Sequence, residues 1–318
     1  MTRARVLRYA DNPAAASYNP PPVEPDALTP PQFLDVPHLL EASQPRPRAG
    51  WFWYGLGFFL LIVMVSAYMS AQSQLLGMVA ELLSAALMLV VIVAMGVMTW
   101  LTVKRQQAEG QQVVAVEELM QLRRWGDAGV ILDGMLSEPT RTPQHRVQAL
   151  IYLSAVLARY HRFADSIAVQ EHLLDHVNLD PGTVHGLRLG RAMSMLREDH
   201  LVDADRAMAE LRRADPERQS AGLALLEIYR DVKTGHPQEA VEIFEQRWPL
   251  LRDQLGHRAG DAYYLAAKAY DTLGRDAEAA RAYERATLLS PLAELQRRYP
   301  EAASLSDKYQ PAVSPVAQ

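Results

Sequence analysis

Residues 51–103 form an almost unbroken apolar stretch, which constrains the fold more than any other feature of the chain. The stretch contains no Lys or Arg, and Glu81 is its only acidic residue. A helix rises about 1.5 Å per residue, so about 20 apolar residues are enough to cross a hydrocarbon layer about 30 Å thick. A polar patch at residues 72–74 divides the stretch into runs at 51–71 and 75–103. The sequence therefore predicts a two-span transmembrane helical hairpin.

The charges that flank this stretch predict an orientation. Arg46 and Arg48 precede the first run, Lys104 and Arg105 follow the second, and the short connection carries no basic residue. Because basic flanks stay in the cytoplasm, we expect a plasma (inner) membrane protein with two spans and both termini cytoplasmic. Glu81 then lies near the outer surface of the membrane, and a functional intramembrane carboxylate is the alternative.

Residues 1–50 precede the apolar stretch and contain ten of the 20 prolines. Proline favours extended backbone, and the segment has too little apolar content to fold alone, so we expect a disordered cytoplasmic tail. A small apolar cluster interrupts it, which is either a docking segment or an incidental surface contact. Its members are Phe33, Leu34, Val36, Leu39 and Leu40.

Composition excludes several functional classes. The chain has no Cys, which removes disulfides, thiol nucleophiles and cysteine metal sites. From residue 106 to the end, 25 basic residues face 31 acidic ones, and nucleic-acid binding normally needs a basic face. No glycine-rich phosphate loop or nucleophilic serine motif occurs. We therefore expect no enzymatic activity, no cofactor, no nucleic-acid partner and no small-molecule substrate.

From residue 108 onward the pattern is that of helices with short breaks, since apolar residues recur at spacings of three and four. The clearest unit spans residues 261–291 and consists of two helices separated by a turn at Gly274. Small and aromatic residues recur on one face of each helix: Tyr263, Ala267, Tyr270, Ala279, Tyr283 and Ala286. Small residues allow antiparallel helices to approach closely, and aromatic rings fill the space beside them.

This unit resembles a tetratricopeptide repeat, a helix–turn–helix of 34 residues. A pair of second-helix positions, four residues apart, recurs along the chain in steps of 38, 38, 36 and 39 residues. The pairs are Ala128/Leu132, Ser166/Gln170, Ala204/Met208, Ala240/Phe244 and Ala279/Tyr283. The predicted fold is all-α: the transmembrane hairpin, followed over residues 108–300 by a tetratricopeptide-like α-solenoid of about five degenerate repeats. A capping helix at residues 292–299 and a flexible tail at 301–318 complete it.

The resemblance implies a concave groove lined by the first helices, which usually holds a peptide. Corresponding positions give an apolar stripe in this groove: Ile151, Leu189, Leu225 and Tyr264. Basic residues edge the stripe: Arg159, Arg197, Lys233 and Lys268. Such a surface suits an amphipathic helix or an extended peptide with an acidic end. The alternative is that these basic residues serve only solubility.

His172 and His176 lie four residues apart on one helical face, with acidic neighbours. Two imidazoles at this spacing can share a metal ion, but no third ligand is evident. We therefore interpret the pair as an exposed polar helix face and predict no metal site.

The function that these features predict is that of a membrane-anchored scaffold or adaptor, which binds a peptide or helix of a protein partner in the groove. The alternative is an accessory subunit of a membrane transporter or enzyme complex, which docks through the transmembrane hairpin. The expected partners are one or more membrane-associated proteins and the lipid bilayer, and homo-oligomerisation stays open.

Overall fold

The computed structural model describes residues 34–45, 55, 57–59, 62, 63, 65, 74–215, 217 and 219–309. Every regular element in these ranges for which bounds are defined is a helix, and two short 3-10 helices lie at Gly256–Arg258 and Pro300–Ala302. The α-helices are α1 (Val36–Ala42), α2 (Gln74–Gln121), α3 (Trp125–Leu136), α4 (Pro143–Arg159), α5 (Phe163–His176), α6 (Pro181–Arg197), α7 (Leu201–Ala214), α8 (Ala221–Thr234), α9 (Pro237–Leu255), α10 (Ala259–Thr272), α11 (Asp276–Leu289), α12 (Leu292–Arg298) and α13 (Leu305–Tyr309).

Five helix pairs repeat along the chain: the end of α2 with α3, then α4/α5, α6/α7, α8/α9 and α10/α11. The turn inside each pair contains one residue with positive φ, between 59° and 78°. These residues are Arg123, His161, Asp199, Gly235 and Gly274. In every turn the next amide donates to the carbonyl five residues earlier, at 2.8–3.0 Å, which is the bond that ends a helix in a Schellman motif. The five pairs therefore share one turn geometry.

The pairs stack into a solenoid. Each of α5 and α9 packs against the first helix of the following pair, and the first helices α6, α8 and α10 contact their neighbours. The core consists of two clusters, one formed by the first two pairs and the other by the last three, and α6 contributes to both. The all-helical solenoid that the sequence predicted is therefore present.

The prediction of a transmembrane hairpin is wrong. In the part of the chain that the structure describes, no helix combines the length with the apolar content that crossing a membrane requires. Residues 75–103 are instead the first part of α2, which continues through Lys104 and Arg105 to Gln121. Its second half belongs to the solenoid, where Val116 is buried and Glu109 accepts hydrogen bonds from the backbone before α4. The sequence predicted an independent span because it gives no sign that the helix goes on.

Three further predictions depended on these spans. The two-span inner-membrane localisation is wrong for the same reason, and the expected contact with a lipid bilayer loses its basis. Glu81 lies within α2, and its side chain is outside the described residues. Most of the run at 51–71, together with residues 1–33, also lies outside them.

The predicted disordered tail differs from the structure at residues 34–45. Asp35 caps the N-terminus of α1 by accepting from the His38 amide, and Pro37 occupies its first turn. Leu34, Val36 and Leu39 are buried in the core cluster of the first two pairs. The apolar cluster seen in the sequence is thus a docking segment for the chain's own solenoid, while Phe33 lies outside the described residues.

Two arginines fasten this segment through its backbone carbonyls. Arg146 donates to the Leu40 carbonyl and to Ser43 Oγ, both at 3.0 Å, and Arg162 donates to the Leu34 carbonyl at 2.8 Å. Arg146 is buried, and burial lowers the pKa of its guanidinium. A buried arginine needs its donors satisfied, so α1 completes the first two pairs.

Candidate functional site

The inner face of the solenoid, formed by α4, α6, α8 and α10, is covered by the C-terminal segment, residues 292–309. This segment contains α12, the 3-10 helix at Pro300–Ala302 and α13. The capping helix predicted at 292–299 matches the position of α12. The flexible tail predicted from residue 301 differs from the structure as far as residue 309, and residues 310–318 lie outside the described residues.

All four basic residues predicted to edge the groove contact this segment. Arg159 Nη2 lies 3.3 Å from Glu294 Oε1, and Lys233 Nζ lies 3.2 Å from Glu301 Oε1. Lys268 Nζ donates to Ser304 Oγ at 3.4 Å. The Arg197 guanidinium lies over the Tyr299 ring, 5.9 Å from its centroid. Three successive helix pairs thus contribute a cation from the same turn of their first helix, and α10 contributes one slightly earlier.

Glu294 is the acidic centre of a cluster of arginines. Besides Arg159, its carboxylate accepts from Arg123 Nη1 at 2.8 Å and from Arg298 Nη2 at 3.3 Å. Burial lowers the pKa of Arg159, the charge of Arg297 lowers it further, and Glu294 opposes both. One carboxylate therefore contacts three guanidinium groups, with a fourth, that of Arg297, close enough to affect Arg159, so positive charge dominates this end of the inner face.

Tyr299 is the apolar anchor of the segment. Its side chain is fully buried, and its ring meets Tyr229 edge-on at a centroid distance of 5.1 Å. The Tyr229 hydroxyl donates to Glu301 Oε1 at 3.1 Å. Burial raises the pKa of both tyrosines, so both hydroxyls stay protonated.

The last helix pair holds the rest of the segment. Arg298 Nη1 contacts both carboxylate oxygens of Asp261 at 2.7 Å, and Asp261 is completely buried. The Tyr264 hydroxyl donates to the Ala302 carbonyl at 2.9 Å, and burial raises the pKa of Tyr264 to about 12. A buried carboxylate needs such a partner, so removal of Arg298 would leave Asp261 with an uncompensated buried charge.

Ion pairs between Lys308 and two aspartates hold the end of the segment, and we call this group of contacts the clasp. Lys308 Nζ lies 2.7 Å from Asp271 Oδ1 and 2.7 Å from Asp276 Oδ1. The Tyr309 hydroxyl donates to Asp271 Oδ1 at 2.9 Å. The hydrogen bond from Lys308 lowers the pKa of Asp276, and the two aspartates raise the pKa of Lys308.

The predicted apolar stripe is less open than the sequence suggested. Ile151 and Leu189 are partly exposed, but Leu225 and Tyr264 are buried. Leu189 packs so closely on Gly222 that a Cβ there would lie 2.8 Å from Leu189 Cδ1. Contacts between successive pairs and with the C-terminal segment therefore bury two of the four residues of this stripe.

The twelve residues predicted to define the repeats are all buried. They are Ala128, Leu132, Ala204, Met208, Ala240, Phe244, Tyr263, Ala267, Tyr270, Ala279, Tyr283 and Ala286. The pair that departs from the pattern is buried as well, and Ser166 Oγ there donates to the Ser154 carbonyl at 2.9 Å. A polar side chain replaces an apolar one at this position because a backbone acceptor lies within reach.

His172 and His176 are stacked, with ring centroids 4.8 Å apart. Arg146 Nη2 lies 3.2 Å from His172 Nε2, and because arginine only donates, that nitrogen accepts. Burial, followed by the charge of Arg146, lowers the pKa of His172. In the parts of the chain that are described, no group of three or more metal-ligating side chains exists.

The chain itself fills the groove, which we did not predict from the sequence. A signal for this was present, since Leu295, Tyr299, Ala302 and Leu305 recur at three- and four-residue spacing in the supposed cap and tail. All four are buried in the core cluster of the last three pairs.

Comparison with known proteins gives little beyond the fold. No protein-family model matches the chain, and no curated protein matches it. Among solved structures, it is similar to the crystal structure of a thermophilic tetratricopeptide repeat protein from Thermus thermophilus. The sequence identity is 18%, the TM-score is 0.46, and the match covers 61% of this chain and 98% of the other. The helix pairs of the chain itself, rather than this similarity, show the all-helical solenoid.

Proposed function

We propose that this protein is a non-enzymatic interaction scaffold, whose inner face binds a peptide segment of a protein partner. The observation that carries the proposal is the occupation of this face by residues 292–309. The face holds a segment of irregular structure and short helical turns through cations on four successive first helices. A surface with this chemistry recognises acidic peptides through charge-assisted hydrogen bonds.

The lysines of the chain make the proposal directly testable. The whole sequence has four, of which Lys233 and Lys268 lie on the inner face, Lys308 lies in the C-terminal segment, and Lys104 lies in α2. A lysine-reactive crosslinker applied to the full chain in extracts of the source cells, followed by mass spectrometry, therefore reports on this face. We expect crosslinks from Lys233 and Lys268 to converge on one segment of one partner.

Two charge reversals separate specific binding from background. Arg197→Glu places a negative charge on the inner face, and we expect it to abolish the partner crosslinks. Arg252→Glu is the matched control, because Arg252 is exposed on α9 and, within the described ranges, its ion pair is with its neighbour Asp253. Partner crosslinks confined to Lys104, or equally strong in both variants, would show that the inner face is not the binding site.

A further inference from the structure

The C-terminal segment has the properties of a bound ligand rather than of a further repeat. It does not form a helix pair, and its side chains reach every pair of the solenoid. Glu294 contacts the first two pairs, Tyr299 contacts the third and fourth, and Ser304 and Lys308 contact the fifth. Such a path along the inner face is the path that a partner segment would take.

The fit of this segment is incomplete at its centre. Arg197 Nε, the Tyr299 hydroxyl and Glu301 Oε2 are buried and have no hydrogen-bond partner among the described residues. The neighbouring cations Arg159 and Lys233 each face a carboxylate of the segment, although Arg159 Nε also lacks a partner among the described residues. Arg197 instead lies over the Phe163 ring of α5 and the Tyr299 ring of the segment. Buried polar atoms without partners weaken a complex, so this segment is not the best ligand for the face.

We infer that residues 292–309 are a cis ligand that occupies the partner's site, and that the partner segment shares its recognition features. Those features are a carboxylate like that of Glu294, an aromatic side chain five residues later like Tyr299, and a second carboxylate two residues after that like Glu301. The inference rests on the proposed function and names both the chemistry of the partner and the contact that it must displace.

Covalent attachment keeps a weak cis ligand in place. A tethered segment acts at an effective concentration in the millimolar range, so a partner must bind well enough to overcome it. The partner gains binding free energy over the cis segment because it supplies a hydrogen-bond acceptor for Arg197. Weakening the cis contacts therefore raises the apparent affinity for a partner segment without changing the face that receives it.

Fluorescence anisotropy with a synthetic peptide tests the inference. The peptide carries residues 291–309 with Lys308→Arg, and the receptors are the full wild-type chain, the full-length variant Tyr299→Ala/Glu301→Ala, and the control Tyr152→Ala, which removes a tyrosine of α4. We expect the double variant to bind at least about tenfold more tightly than the wild type and the control. Within the peptide, Tyr299→Ala or the pair Glu294→Gln/Glu301→Gln is expected to weaken binding at least about tenfold.

A competition in the wild-type chain does not depend on the folding of any variant. Lys268 and Lys308 both lie within 4 Å of Asp271, so an intramolecular Lys268–Lys308 crosslink measures occupation of the face by its own segment. We expect the lysine-free peptide to reduce this crosslink at millimolar concentration. A peptide of the same composition in scrambled order is expected to leave it unchanged.

Three results would overturn the inference. The first is a crosslink yield that the peptide does not alter, and the second is equal binding of the scrambled peptide. The third is a Lys268–Lys308 crosslink that joins isotopically labelled to unlabelled copies, which would make a second copy the occupant. If a partner crosslinks to Lys233 and Lys268 but does not compete with the peptide, the proposed function stands and only the inference fails.

Discussion

The ion pair between Asp261 and Arg298 gives the sharpest prediction. Asp261 is completely buried, and Arg298 Nη1 lies 2.7 Å from both of its oxygens. Among the described residues, the other cation near it is Arg258, whose Nε is 3.8 Å away and which is about half exposed. Arg298→Met therefore leaves a buried carboxylate without an adequate partner, a change that typically costs about 3–5 kcal/mol. We expect a cost of about 3 kcal/mol, at the lower end of that range, because Arg258 compensates in part.

A double-mutant cycle isolates this pair. Asp261→Asn removes the buried charge while keeping the shape, so we expect the double variant Arg298→Met/Asp261→Asn to be more stable than Arg298→Met alone. The expected coupling is about 2 kcal/mol. Urea denaturation of the full chain measures all four free energies of unfolding. The exposed pair Arg252 and Asp253, at 2.9 Å, is the matched control and should couple by less than about 0.5 kcal/mol.

Undocking of the C-terminal segment limits how much free energy of unfolding the chain can lose in Arg298→Met. If undocking the segment lets water reach Asp261, the chain loses the free energy of docking and no more. The Lys268–Lys308 crosslink then falls in Arg298→Met and recovers in the double variant. A coupling as small as that of the exposed control pair would refute the reasoning, because it would mean that burial does not strengthen this contact.

Three further predictions concern the turns, the clasp and the N-terminal helix. Gly235→Ala should lower the free energy of unfolding by about 1 kcal/mol, because the φ of Gly235 is 78°. Gly134 lies in a helix and has equal space for a Cβ, so Gly134→Ala should raise the free energy of unfolding by about 0.5–1 kcal/mol. Urea denaturation measures both changes, and two changes of the same sign would contradict this prediction. Lys308→Met should raise the pKa of Asp276 toward its ordinary value, measured by NMR titration. The lowered pKa makes this pair stabilising above the unfolded pKa of about 4, and the contribution is lost as pH falls through the folded value, so an unshifted titration counts against the clasp. Arg146→Met should speed hydrogen exchange in α1 at least about tenfold while leaving α10 unchanged, and equal exchange in both helices would show that Arg146 does not fasten α1.

Repetition made the solenoid predictable from the sequence. The turns at Gly235 and Gly274 are visible in the sequence, because glycine adopts positive φ easily. Arg123, His161 and Asp199 occupy the same turn without a glycine, so only the spacing of Ala128, Ser166 and Ala204 a few residues later revealed them. Turn composition alone was therefore insufficient, and the period supplied the missing information.

Two features escaped prediction because they depend on contacts between distant parts of the chain. The run at residues 75–103 has the composition of a membrane span, and nothing local shows that its helix continues to Gln121 into the first pair. The apolar positions around Tyr299 recur at helical spacing, but the surface that buries them does not show in the local sequence, since the segment's contacts reach residues up to 171 positions away, the separation between Arg123 and Glu294. Sequence patterns report which face is apolar, but not which distant surface covers it.

The C-terminal segment also joins the two halves of the core. Leu295 and Tyr299 belong to the cluster of the last three pairs, while Glu294 binds Arg123 and Arg159 in the first two. A ligand that displaces the segment therefore removes this bridge unless it supplies its own carboxylate to the same arginines. The cations that connect the two halves are thus the same ones that we propose for recognition of the partner, which is why an acidic residue at the position of Glu294 is part of the inferred recognition pattern.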